Sequence, residues 1–176
     1  MHRSLTARVA GALAGLSASL VLVGTASAGP ERVPTQGSPA VTMPAPAGWA
    51  VEREERPGFS ELFVRAPDSS VMIQVGVVTT AGPPTPPDQL ASIFGRNAHA
   101  DLVGASMAGS IAGHPGRAYN LHMAAQDNHL ARIVRLTLVR LDASHLVLVG
   151  IFARETLAPA ELRQAATIAG GVRMAP

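Results

Sequence analysis

The chain has no cysteine and no lysine, a single Trp and a single Tyr, and only 3% aromatic residues. Without cysteine there are no disulfides, no zinc–thiolate sites and no cysteine nucleophile. The thiol on which bacterial lipoprotein attachment depends is missing too. All 14 members of the basic Lys/Arg set are Arg, against 12 acidic residues, so almost nothing titrates between His and Arg. The computed pI of 10.4 therefore marks a flat charge curve and not a strongly basic protein. Counterion release on phosphates needs clustered cations. The linear sequence offers neither an Arg cluster nor stacking aromatics, so no nucleic-acid partner is expected. No N-x-[ST] acceptor occurs: Asn97, Asn120 and Asn128 are followed two positions later by His99, His122 and Leu130. What the chain does have is an apolar content of 47% over 176 residues, which excludes wholesale disorder and fits one or two domains.

Residues 1–28 read as an export signal. Arg3 and Arg8 form a positive n-region, and Val9 to Gly24 is uncharged and rich in Ala, Leu, Val, Gly and Ser. Thr25-Ala26-Ser27-Ala28 ends in small residues of the A-x-A type. Cleavage is expected between Ala28 and Gly29. The apolar stretch falls short of the roughly 20 strongly apolar residues of a spanning helix, so no stable membrane anchor is expected after cleavage. There is no adjacent Arg pair, which favours general secretion. Arg3 and Arg8 would leave with the signal, and twelve Arg would then face twelve acids. The expected product is a soluble, formally neutral protein of the bacterial periplasm or medium.

Residues 29–40 (GPERVPTQGSPA) have no periodicity and are expected as a flexible leader. Residues 41–176 are expected to form one domain. Strands are expected from Trp49, over Ser60–Arg65, and over Val71–Thr79, where Val71, Ile73, Val75 and Val77 alternate. Gly82 to Pro87 should launch a helix with Thr85 as N-cap and Pro86 at the first helical position. Leu90, Ile93, Phe94, Ala98 and Leu102 would form its inner face. Two shorter strands are expected around a turn at Gly113–Gly116. A Gln126–Asp127–Asn128 turn follows, then a long strand His129–Leu141 and a hairpin through Asp142–Ser144 to His145–Ala153. That last strand is apolar on both faces and should lie centrally. A final helix from Pro159 should turn Leu162, Ala165, Ala166 and Ala169 inward and stop at Gly170-Gly171. The pattern is α+β: a mainly antiparallel sheet of about six to seven strands flanked by two helices.

This order resembles the PsbP/Mog-like superfamily, including envelope proteins of the DcrB and LpqN type. The resemblance rests on the M-P-x-P-x-G-W opening at Met43–Trp49, the Pro-rich loop into a helix at 82–102 and the G-x-P turn at Gly113–Pro115. The hairpin at 129–153 and the Pro-started terminal helix complete it. It covers nearly all of residues 41–176 and implies a sandwich of sheet and helices with an accessory or binding role. It supplies no catalytic motif to carry over. Many DcrB- and LpqN-like members look like lipoproteins, and the absence of Cys sets this chain apart from them.

Reactive constellations are sparse. Gly104-Ala105-Ser106-Met107-Ala108 lacks the second Gly of G-x-S-x-G, and Ser110 has Ala at both Gly positions. His99, His114, His122, His129 and His145 show no H-E-x-x-H pairing. His122 and His129 flank one turn and are the candidate pair for a divalent metal, with Asp127 nearby, although a catalytic zinc normally takes three protein ligands. Glu52, Glu54 and Glu55 interleave with Arg53 and Arg56 and read as solvated charges, Glu52 and Glu54 on one face and Glu55 on the other. Trp49 reads as a core anchor. No G-x-G-x-x-G or Walker pattern occurs, and no cofactor is expected. These readings favour an exported, non-enzymatic accessory protein that binds an unknown envelope component. A small apolar-ligand carrier, with its site between the Pro-rich loop and the sheet, is the alternative, and a hydrolase comes third.

Overall fold

The computed structural model describes residues 24–25, 29–80, 85–125 and 130–176. The expected signal lies outside the described residues except for Gly24 and Thr25, as do His129, the 126–128 turn and the start of the Pro-rich loop. The strands are β1 (Gly24–Thr25), β2 (Gly29–Val33), β3 (Val41–Ala45), β4 (Ala50–Arg56), β5 (Phe59–Arg65), β6 (Val71–Thr79), β7 (Ala100–Ile111), β8 (His114–Met123), β9 (Arg132–Arg140), β10 (His145–Arg154) and β11 (Arg173–Met174). The helices are α1 (Pro87–Asn97), between β6 and β7, and α2 (Pro159–Gly170), between β10 and β11. One sheet runs β1-β4-β5-β6-β10-β9-β8-β7 and a second runs β11-β3-β2. Every described pairing is antiparallel. Among the described residues the fold is α+β, with seven long strands and two helices as the patterning implies. The small second sheet is an addition to that expectation.

Alternation along the strands sorts their side chains into two cores. Val71, Ile73, Val75 and Val77 of β6, with Val147 and Val149 of β10, face β3, Val33 and the α2 residues Ala165 and Ile168. Leu146, Leu148 and Phe152 of β10, with Val134, Leu136 and Leu138 of β9, face Leu90, Ala91 and Phe94 of α1. β10 thus carries both cores and lies between β6 and β9, as its two apolar faces require. The two cover layers are offset. The layer of β2, β3 and α2 stops short of β7 and β8, leaving Val103 53% and Met107 40% exposed.

Several local expectations are corrected. Residues 29–40 are no unstructured leader: β2 pairs with β3 over five residues, and Val33 and Ala40 are buried. The N-cap position of α1 is Pro86, with no side-chain cap, and Pro87 opens the helix. Its start is held by Asp88 in the first turn, whose Oδ1 accepts the Tyr119 hydroxyl at 2.6 Å. Burial and that carboxylate push the Tyr119 phenol upward. The helix ends at Asn97, so Leu102 falls on β7 and is exposed. The hairpin after β7 turns at Ala112-Gly113, both with positive φ (52° and 83°), the backbone of a two-residue turn whose twist matches the flanking strands. His114 to Gly116 belong to β8. On α2, Ile168 is buried and Ala166 exposed.

Gly116 shows how closely β8 and β9 approach. A Cβ there would sit 2.2 Å from the Leu138 carbonyl oxygen and 2.6 Å from Val139 Cγ2. Gly116→Ala is expected to destabilise by about 1–3 kcal/mol, lowering Tm by roughly 3–10 °C. Gly170→Ala, where the added carbon meets nothing within 4 Å, should leave Tm unchanged or higher. Equal Tm values in a thermal melt of the two variants would contradict this packing.

Candidate functional site

The second layer ends near Val77, and beyond it a cleft of about 380 Å³ opens on the same face of the sheet. Its floor comes from three neighbouring strands: Ser60 of β5, Val77 and Thr79 of β6, and His145 of β10. His145 is the direct partner of Thr79, and Ser60 of Val77. One wall is the turn Pro57-Gly58 between β4 and β5. The other is a strap, residues 34–39, which supplies Pro34, Gln36, Gly37, Ser38 and Pro39.

The strap is tied at several points. Val33 and Ala40 bury its two ends. Arg32 Nη2 donates to the Gly37 carbonyl at 2.9 Å. The Glu55 carboxylate accepts from the Thr35 N–H at 2.8 Å and from its hydroxyl at 3.1 Å. Arg53 secures the strand before it, donating to the Arg32 carbonyl at 2.7 Å and pairing with Glu31. The interleaved charges of β4 are therefore not a solvated run. Arg53 holds β2 and Glu55 the strap, while Glu54 pairs with Arg56 and Glu52 with Arg65.

His145 is held by the turn that precedes it. Asp142 Oδ1 accepts from the backbone N–H of Ser144 and of His145 at 2.7 and 2.8 Å, and His145 Nδ1 lies 2.9 and 2.8 Å from the two carboxylate oxygens. The Ser144 bond, followed by the His145 side chain, keeps the Asp142 carboxyl below its ordinary range. With Nδ1 engaged, Nε2 is the ring nitrogen left for a cleft occupant. Among the described residues no cleft hydroxyl is hydrogen-bonded to His145. The arrangement provides hydroxyls and an imidazole nitrogen: hydrogen-bonding recognition of a polar group.

The residues singled out in the sequence lie elsewhere. His122 is on β8, its Nε2 3.8 Å from Glu155 Oε2, and its expected metal partner His129 lies outside the described residues. Among the described residues no three His, Asp or Glu side chains converge as metal ligands. Ser106 sits within the irregularity of β7 between Val103 and Met107, and Ser110 faces Pro115 across the hairpin. Neither is on the strand-to-helix turn of a nucleophile elbow. Trp49 packs against the core of β3 and α2. The Pro-rich loop, beside which the alternative reading places an apolar ligand, lies partly outside the described residues; between the helix that it opens, α1, and the sheet, Phe94 and Phe152 meet with ring centroids 6.1 Å apart and Leu90 and Leu121 are buried. The cleft is on the opposite face and is polar.

A second polar feature lies inside the α1-side core. Glu61, 2% exposed, accepts a hydrogen bond from the Gln74 amide. Opposite Glu61 in register is Gly76, and opposite Gln74 is Gly150. The missing side chains leave room for the pair, and a Cβ on Gly150 would meet Phe152 at 2.9 Å. Burial pushes the Glu61 carboxyl up to about 8, against the smaller lowering effects of Gln74 and Arg56. The signal for it was present in Phe59-x-Glu61-x-Phe63, which places a carboxylate between two aromatics on one strand face.

Comparisons with protein-family models and with curated proteins find no match. Among solved structures the chain is similar to LpqN of Mycobacterium tuberculosis, a protein described as involved in cell envelope biogenesis. The identity is 12%, the alignment covers 88% of this chain and 92% of LpqN, and the TM-score is 0.46.

Proposed function

We propose that the chain is an exported, non-enzymatic binding module of the bacterial cell envelope, of the PsbP/Mog-like sandwich type, with its recognition site in the cleft under the strap. The observation that carries this reading is the polar end formed by Ser60, Thr79 and His145 on three adjacent strands. Their strands are apolar on that face until these residues are reached, and there the covering layer stops and polar groups meet an open volume. A strap fixed by Arg32 and Glu55 supports a preorganised site. The polar lining favours an envelope component that presents hydrogen-bonding groups over an apolar cargo. Export rests on the sequence of residues 1–28. Among the described residues no helix is long and apolar enough to cross a membrane.

A photo-crosslinking amino acid placed at Thr79 in the exported protein, in its own host, tests the site. A discrete adduct is expected from Thr79 and none from the exposed Arg163 of α2. Ser60→Trp, which fills the cleft, should reduce the adduct at least about fivefold, the loss from roughly 1 kcal/mol of binding. No adduct, or equal adducts from both positions, contradicts the site. Turnover of ester, peptide or glycan substrates by the purified chain contradicts the non-enzymatic role.

A further inference from the structure

Three arginines distant in sequence converge at one end of the large sheet, on its α1 face. Arg132 of β9 and Arg154 of β10 are direct cross-strand partners. Arg65, the last residue of β5, lies opposite Met72, whose partner on β10 is Phe152. Like charges directly opposite on adjacent strands repel. The Arg132 guanidinium is held below the usual arginine range, first by burial and then by the charges of Arg154 and Arg65.

The fold neutralises this cluster only in part. Arg132 Nη2 donates to the Ser69 carbonyl at 3.4 Å and Arg154 Nη2 to the Asp68 carbonyl at 2.7 Å. Both acceptors are neutral backbone groups of the turn between β5 and β6. Arg65 Nη2 reaches Glu52 Oε2 at 3.4 Å and Met72 Sδ at 4.0 Å. Among the described residues Asp68 is the other carboxylate near the cluster. It is occupied by Ser70, whose N–H it accepts at 3.0 Å; that bond, ahead of the Arg154 charge, keeps it ionised. Among the described residues, three guanidiniums thus share two carboxylates. Arg154 Nε is buried with no hydrogen-bond partner, and of the five N–H donors that each guanidinium carries the bonds above engage one nitrogen on each arginine.

We propose that Arg132 and Arg154, with Arg65 at the rim, form a binding site for a phosphate group. Paired planar guanidinium forks match the spacing of phosphate oxygens, and the anion would remove the repulsion that the strand register imposes. A free phosphate compound and a phosphomonoester lipid headgroup present the same chemistry. The site lies at the opposite end of β10 from His145 and on the opposite face of the sheet, so it stands or falls independently of the cleft.

Thermal unfolding of the intact chain in about 10 mM phosphate, against sodium chloride of equal ionic strength, reads the binding. A rise in Tm of roughly 2–4 °C is expected, abolished in Arg132→Gln and in Arg154→Gln and reduced in Arg65→Gln. Without phosphate, Arg132→Gln should melt at or above the parent temperature, because the opposed charge is gone. A purely structural Arg132 predicts a lower Tm and no phosphate response in the parent. Co-sedimentation with phosphatidylcholine vesicles, with and without phosphatidic acid, separates the sources. Binding to the phosphatidic acid vesicles that Arg132→Gln abolishes, without a rise in free phosphate, assigns the site to a headgroup. Silence in both arms, or a response that survives Arg132→Gln and Arg65→Gln, overturns the proposal.

Discussion

Glu61→Gln is expected to abolish most of the loss of stability that the parent protein suffers as pH rises from about 4.5 to about 8. In the folded chain burial lifts the Glu61 carboxyl from 4.5 to about 8. Between these values the folded state holds a proton that the unfolded state has released. Stability falls with pH wherever the folded state binds more protons. The contribution of this carboxyl is therefore most favourable below the unfolded value and is lost as pH rises through the folded one. A shift of this size corresponds to roughly 3–5 kcal/mol at the alkaline limit. Gln keeps the shape and a hydrogen bond to Gln74 and carries no charge to bury. Urea unfolding near pH 5 and about pH 8.5 should show the parent losing several kcal/mol and the variant losing little. Parallel pH profiles for the two proteins would show that Glu61 is not the group responsible.

The second large effect concerns the N-terminal strand. A chain starting at Pro34 is expected to be about 3–5 kcal/mol less stable than one starting at Gly29. Removing β2 strips five paired positions from β3 and the burial of Val33, whose side chain alone accounts for about 1.5–2 kcal/mol. It uncovers Val41, Met43 and Ala45, all buried in the core. It also leaves Arg53 without Glu31 and the Arg32 carbonyl and frees one end of the strap. The urea midpoint of the shortened chain should fall, and amide protection should drop in β3. An unchanged midpoint would mean that β2 is an ornament on a domain complete without it. Cleavage at the expected Ala28–Gly29 bond would leave all of β2 on the exported protein.

Much of the fold was legible because strand alternation is a local property. The β6 limits, the central β10 and the Asp142 turn follow from side chains two residues apart. Helix α1 is legible through Leu90, Ile93 and Phe94, and its end at Asn97 is not, because Leu102 continues the helical spacing while the chain has already joined the sheet. Residues 29–33 carry no strand signal for another reason. Pro and charged residues weaken any strand signal, and it is the exposed edge of β3 that makes this segment a strand. Of the cleft, only the Asp142 turn that orients His145 could be seen in advance. Its strap, floor and walls come from four separate stretches of chain.

The sequence by itself determined the long strands and the two helix starts, the two-faced burial of β10, the lack of thiol chemistry and the neutral charge of residues 29–176. Tertiary structure decided which residues meet. It set Glu61 beside Gln74 between two glycines, placed Thr79 against His145, and joined Arg65, Arg132 and Arg154 in a chain whose linear order holds no Arg cluster. The reason is physical: alternation chooses the face of each side chain, whereas its neighbours depend on strand order and register, and a shift of one residue would exchange every partner.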